Sequence, residues 1–185
     1  FSDGADDTCQ ISAITIDSRT VTENSLFIAV KGERNDGHDF IKECLDKGAA
    51  AVISEKIIPD ENRPVIVVDS TLKALRDLAS FYRSQLNVKV VGITGSVGKT
   101  STKETIASVL ATRYRVLKTK GNYNNEIGVP LTVFRITEDD EVAVLEMGIS
   151  DFGEMERLTA IAKPDICVIT NIGQCHLENL GTRDG

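Results

Sequence analysis

Apolar positions along this chain follow two spacings, one of short uninterrupted runs and one of helical periodicity. Runs at Ala13 to Asp17, Leu26 to Val30, Ala50 to Ser54 and Val65 to Val68, separated by turn-forming residues, predict strands. Between the second and third, Phe40 to Lys47 predicts a helix. A longer helix follows, capped by Ser70 or Thr71, with Leu72, Leu75, Leu78, Ala79, Tyr82 and Leu86 on an apolar face and Lys73, Arg76 and Arg83 on the other. From Lys89 onward strand and helix alternate. The expected elements are a strand to Thr94, a helix over Lys99 to Thr112 with Ile106, Val109 and Leu110 inward, a strand at Arg115 to Lys118 and a helix at Ile127 to Arg135. A strand at Glu141 to Glu146, a helix at Gly153 to Ala162 and a strand at Asp165 to Asn171 complete the pattern. This is an α/β pattern. It predicts a small N-terminal α/β domain over residues 1–86, followed over 87–185 by a mostly parallel sheet with crossover helices.

In parallel sheets, ligands bind beyond the carboxyl ends of the strands. Four segments fall there: Gly95 to Ser101, Lys118 to Asn125, Glu146, and Asn171 to His176. The first carries the most chemistry. Thr94-Gly95-Ser96-Val97-Gly98-Lys99-Thr100 links an apolar strand to a helix, as a phosphate-cradling P-loop does. Its glycines let N–H groups turn inward, Lys99 reaches the outer phosphates, and Thr100 offers an oxygen to Mg²⁺. It is a variant, because Ile93 stands where the strict pattern has its first glycine. The expected ligand is a nucleoside triphosphate.

Glu146, ending the run Val142 to Leu145, is placed to meet Mg²⁺ held by Thr100, or else is a solvated strand-end acid. His176, one of two histidines, is a metal ligand or a surface residue. Its neighbour Cys175 is not expected to pair with it as a nucleophile. In the first domain, Asp17-Ser18-Arg19 and Asn35 to Asp39 are polar turns that hold a ligand, with Arg19 on a phosphate, or are ordinary turns, with Asp39 an N-cap.

Composition narrows the partners. The chain has 185 residues, 41% hydrophobic and 26% charged, with a net charge of −7 and scattered Lys and Arg, which argues against nucleic acid and anionic membranes. No apolar run reaches a membrane span of about 18 residues, and the acidic start is unlike a signal peptide, so a cytoplasmic location is expected. Cys9, Cys44, Cys167 and Cys175 lack metal-ligand spacing and are read as reduced packing thiols.

Ile16-Asp17-Ser18-Arg19, Leu26 to Glu33, Asp36 to Phe40, Thr94 to Thr100, Lys120 to Pro130, Glu146-Met147-Gly148 and Thr170 to Gly173 with His176-Leu177-Glu178 together resemble the Mur ligases. The run Gly121 to Pro130 points to the branch of that family that adds D-alanyl-D-alanine. The resemblance implies an ATP- and Mg²⁺-dependent amide ligase. Its substrates would be UDP-N-acetylmuramoyl-tripeptide, activated as an acyl phosphate, and D-alanyl-D-alanine. By the family pattern, Gly95, Ser96, Val97, Gly98, Lys99, Thr100 and Ser101 bind ATP phosphates, and Lys99, Glu146 and His176 are catalytic. Thr100, Glu146 and His176 serve Mg²⁺, while Ser18, Arg19, Asn124 and Asn125 bind the UDP substrate. Val97 departs from the Asn or Ser common there. The resemblance also implies a monomer, and a chain lacking the family's C-terminal domain and therefore inactive alone. A diamino-acid-adding member of the family and a P-loop NTPase switch are the alternatives.

Overall fold

The computed structural model describes residues 10–32, 35–59, 63–174 and 176–181; Cys9, Glu33, Cys175 and the last four residues lie outside them. The chain divides into two compact units, Phe1–Leu75 and Arg76–Gly185.

The first unit holds β1 (Ala13–Thr15), β2 (Ser25–Ile28), α1 (Ile41–Asp46), β3 (Ala51–Ser54) and β4 (Val65–Val67), and α2 (Thr71–Gln85) begins in it. Its four strands are all parallel and lie in chain order, β1-β2-β3-β4. Every residue of β2 and β3 is buried, as expected of inner strands covered on both faces. The core gathers Phe27 and Val52 from the strands, Ala29 just after β2, and Ile41, Cys44 and Leu45 from α1.

A 3-10 turn at Gly37–Phe40 leads into α1, and its cap is Asp36, whose carboxylate accepts from the His38 N–H. Asp39, one of the alternatives for a cap, lies inside the turn. His38 is buried: Nδ1 sits 2.5 Å from Asp36 Oδ1 and Nε2 accepts from the Glu55 N–H, so the ring ties two loops together. Glu55 in turn accepts from the N–H and hydroxyl of Thr71, and Ser70 Oγ accepts from Lys73 N–H, which together close the start of α2.

The second unit contains the rest of α2, β5 (Lys89–Thr94), α3 (Lys99–Leu110), β6 (Val116–Lys118), α4 (Gly128–Val133), β7 (Val142–Glu146), α5 (Glu154–Ala162), β8 (Ile166–Ile169) and a short α6 (Leu177–Leu180). Its sheet is also four-stranded and parallel, but the order is β6-β7-β5-β8. Strand alternation divides the core into two layers. Val90, Ala143 and Leu145 pack with Ala79, Val129, Val133 and Leu158 on one face, whereas Val91, Ile93, Val142 and Val144 pack with Ala107 on the other.

Three expectations need correction here. Arg83 is 7% exposed rather than on a polar face, because it stands four residues after Ala79 on the buried stripe. Its guanidinium donates to the carbonyls of Leu86, Val88 and Ala162, satisfying backbone acceptors that would otherwise be stranded. Val109 points outward; the inward stripe of α3 is Lys103, Ile106, Ala107 and Leu110. Cys167 is exposed, since β8 is an edge strand, while Cys44 is buried with its thiol pushed up to about 11 by desolvation.

Candidate functional site

The carboxyl ends of the strands in the second unit converge around the loop after β5. Gly95 has φ of +130° there, and a Cβ on it would stand 2.2 Å from Thr170 Oγ1 and 3.0 Å from Asn171 N, so both conformation and space require glycine. Gly98, at φ +88°, caps α3 and releases the helix from the loop. The first N–H groups of α3, at Lys99, Thr100 and Ser101, have no intrahelical acceptor and form the anion-attracting end of the helix. Lys99 folds back over the turn and donates to Gly95 O at 2.6 Å.

The segment after β8 laces this loop in place. Ser96 N–H donates to Asn171 O, Val97 N–H to Asn171 Oδ1, Thr170 Oγ1 to Val97 O, and Gly173 N–H to Ser96 Oγ. The Val97 side chain itself is exposed. Thr94 Oγ1, immediately before the loop, is the buried side-chain polar atom left without a hydrogen-bond partner among the described residues.

Glu146 sits across from α3 and is 3% exposed. Its Oε2 accepts from Thr100 Oγ1 at 3.0 Å, its Oε1 accepts from Asn124 Nδ2 at 3.0 Å, and its N–H donates to Thr119 Oγ1 at 2.9 Å. Asn124 is anchored to the same strand end, where its carbonyl accepts from Gly148 N–H at 2.7 Å. A buried carboxylate facing a hydroxyl beside this glycine-bearing turn is a pair of hard oxygen donors suited to Mg²⁺. No group of three or more His, Cys, Asp or Glu side chains that could hold a metal ion occurs among the described residues, so a cation here would be completed by other oxygen ligands.

Other candidates lie as follows. His176, at φ +56°, is 48% exposed on its side chain, and its Nδ1 lies 3.7 Å from Glu178 Oε1. Asn125 Oδ1 accepts from the N–H groups of Ile127 and Gly128, which starts α4. Glu126 accepts from both Arg76 and Arg157, fixing the Asn-rich loop from its far side. Ser101 is exposed and its carbonyl accepts from Thr105 Oγ1.

In the first unit, Arg19 makes a two-pronged contact with Asp17, Nη2 at 2.6 Å and Nε at 2.8 Å, and this guanidinium holds the Asp17 carboxyl down near about 2. The Ser18 carbonyl accepts from Lys47 Nζ. Residues that the sequence reading passed over are Thr119, which aims the Glu146 backbone, and Lys103, whose Nζ is 3.5 Å from Glu146 Oε2. The signal for Lys103 was its position on the apolar stripe of α3, three residues before Ile106 and four before Ala107.

A family model described as the Mur ligase middle domain matches residues 93–185, and one described as the Mur ligase family, catalytic domain, matches residues 10–83. The UDP-N-acetylmuramoyl-tripeptide--D-alanyl-D-alanine ligase of Bacillus subtilis is 50% identical over 95% of this chain and 39% of its own length. Among solved structures, a MurF from Acinetobacter baumannii superposes with a TM-score of 0.88 at 38% identity, covering 94% of this chain and 38% of its own. The MurF ligase from Thermotoga maritima in complex with ADP gives 0.86 at 42% identity, covering 93% and 40%. The chain thus spans about two fifths of the length of these relatives. With both units matched in sequence and the parallel α/β fold shared with the solved relatives, this chain belongs to the Mur ligase family.

Proposed function

We propose that this chain carries the nucleotide-binding part of an ATP-dependent amide ligase that joins D-alanyl-D-alanine to UDP-N-acetylmuramoyl-tripeptide during synthesis of the peptidoglycan precursor. The observation that carries the proposal is the Gly95-to-Thr100 cradle with the buried Glu146 carboxylate hydrogen-bonded to Thr100, in a chain half identical to a ligase of that name.

A carboxylate does not acylate an amine unaided; phosphorylation supplies a leaving group. Residues 1–86 act as the UDP-substrate domain, with Ser18 and Arg19 at the UDP end, and residues 87–185 begin the ATP-binding domain. The turn from Gly95 to Ser101 surrounds the phosphates, with the N–H groups of Lys99, Thr100 and Ser101 orienting the terminal one, and Lys99 swings from Gly95 O to neutralise charge that develops as the phosphoryl group leaves. Thr100 and Glu146, with His176, would hold Mg²⁺, which would supply charge screening of the phosphate oxygens. Asn124 and Asn125 line the approach of the muramoyl peptide. No helix among the described residues is long and apolar enough to cross a membrane. The enzyme acts in the cytoplasm as a monomer.

The test uses this chain completed by the corresponding remainder of the Bacillus subtilis relative. Phosphate release from MgATP is measured with UDP-muramoyl tripeptide, with and without D-alanyl-D-alanine, beside Lys99→Ala. Release that needs both substrates and falls at least ~100-fold in the variant is expected. Release driven by a free diamino acid and the dipeptide substrate would reassign the chain within the family, and indifference to every muramoyl peptide would overturn the ligase reading.

A further inference from the structure

Lys103 is the most deeply buried charged side chain described, 1% exposed, on the stripe of α3 that packs against the sheet. Its Nζ stands 3.5 Å from Glu146 Oε2 and 3.4 Å from Glu104 Oε1, so the ammonium is shared between two carboxylates at comparable distance. Glu104 is half exposed and is also paired with Lys118. The other groups that bond the Glu146 carboxylate, Thr100 and Asn124, are neutral. Among the described residues, Lys103 is therefore the cation that balances a carboxylate held almost wholly out of water.

A divalent cation arriving at Oε2 would meet that ammonium across the same oxygen. Two cations on one carboxylate repel strongly in a poorly screened site, and Glu104 offers Lys103 a second anion toward which to shift. We propose that Lys103 is a positioning residue that serves as the resident counter-charge of Glu146, holding the carboxylate in place and, through its partnership with Glu104, setting how tightly a divalent cation binds. This rests on the reading of Glu146 as a metal-binding residue.

The test compares the wild-type chain with Lys103→Met, Lys103→Arg, Glu104→Gln and Glu146→Gln. Thermal midpoints are recorded with ADP, with and without Mn²⁺, and Mn²⁺ affinity is read by electron paramagnetic resonance. Lys103→Met is expected to melt lower without metal, to gain more from Mn²⁺ than the wild type, and to bind it about tenfold tighter. Lys103→Arg should restore wild-type behaviour. Glu104→Gln leaves Lys103 a single carboxylate and should weaken Mn²⁺ about threefold.

A lower midpoint in Lys103→Met with an unchanged metal increment and unchanged or weaker affinity would make Lys103 a packing group and overturn the proposal while leaving the metal site intact. Mn²⁺ binding that is absent in the wild type, or unaltered by Glu146→Gln, would overturn the metal reading of Glu146 and the proposal with it. Should Lys103→Met fail to fold, Glu104→Gln decides: threefold weakening supports the counter-charge role, and no change overturns it.

Discussion

The two sheets of this chain are built alike and used differently. Both are four-stranded and wholly parallel, with inner strands buried on both faces. In the first, strand order follows chain order, so every connection steps the same way across the sheet. Its polar turns satisfy one another: Asp17 holds Arg19, Asp36 holds His38, and Glu55 holds Thr71. In the second, β5 lies between β7 and β8, so the chain leaves β5 toward one side and returns to the other. That reversal makes the carboxyl end of β5 a topological switch point, where loops from four strands meet. Polar groups there bond across long sequence distances, as in Thr100 with Glu146 and Val97 with Asn171. The contrast teaches that connection order, more than sheet composition, decides where a site can assemble.

The comparison can be broken from either side. The largest effect is expected from Phe27→Ala, which empties a fully buried position and should cost the first unit about 3–5 kcal/mol in denaturant unfolding. ADP binding measured by calorimetry should survive it, because the cradle is made of residues in the second unit; loss of binding would show that the site depends on the first sheet. Gly95→Val is the converse. A Cβ 2.2 Å from Thr170 Oγ1 on a backbone at φ +130° should cost about 3 kcal/mol and reduce ADP affinity at least tenfold.

Smaller effects sharpen the picture. Arg83→Met keeps the packing of the long side chain but strands the carbonyls of Val88 and Ala162, and should lower the stability of the second unit by about 2 kcal/mol without touching the cradle. Asn124→Ala should cost only about 1 kcal/mol in stability yet weaken Mn²⁺ binding in the presence of ADP, since Glu146 Oε1 loses its donor.

The smallest is an acid effect in the first unit. Asp17 has its folded value lowered toward about 2 by hydrogen bonds from Arg19, so its contribution is present above the ordinary carboxylate range and is lost as pH falls from there toward 2. Because the pair is solvent-exposed, the change should be slight, and Asp17→Asn should flatten that part of the stability profile between pH 4 and 2. An unchanged profile would mean the pair contributes nothing measurable.

Much of the fold was legible along the chain. The strand runs, the helix after Ser70 and the alternation after Lys89 appear within a few residues of their expected bounds, because apolar runs and 3.6-residue spacing are local properties. Errors arose where identity and position disagreed. Arg83 is a charged residue on a buried stripe, and its charge suggested the surface although spacing placed it inward. Cys167 and Val109 are apolar yet exposed, one on an edge strand and one on the outer side of a helix. Asp36, rather than Asp39, caps the turn before α1, a choice made by backbone angles that sequence does not display.

The sequence by itself determined the α/β class and the glycine-bearing turn between β5 and α3, since Gly95, Gly98, Lys99 and Thr100 are adjacent in the chain and such a turn is a local structure. It also placed Glu146 at a strand end. Only the tertiary structure decided that Glu146 faces Thr100, that Asn124, Thr119 and Lys103 close around it, and that the segment after β8 laces the cradle. These contacts join residues distant in the chain, and their energies depend on parallel register and on exclusion of water, neither of which exists until the sheet has formed.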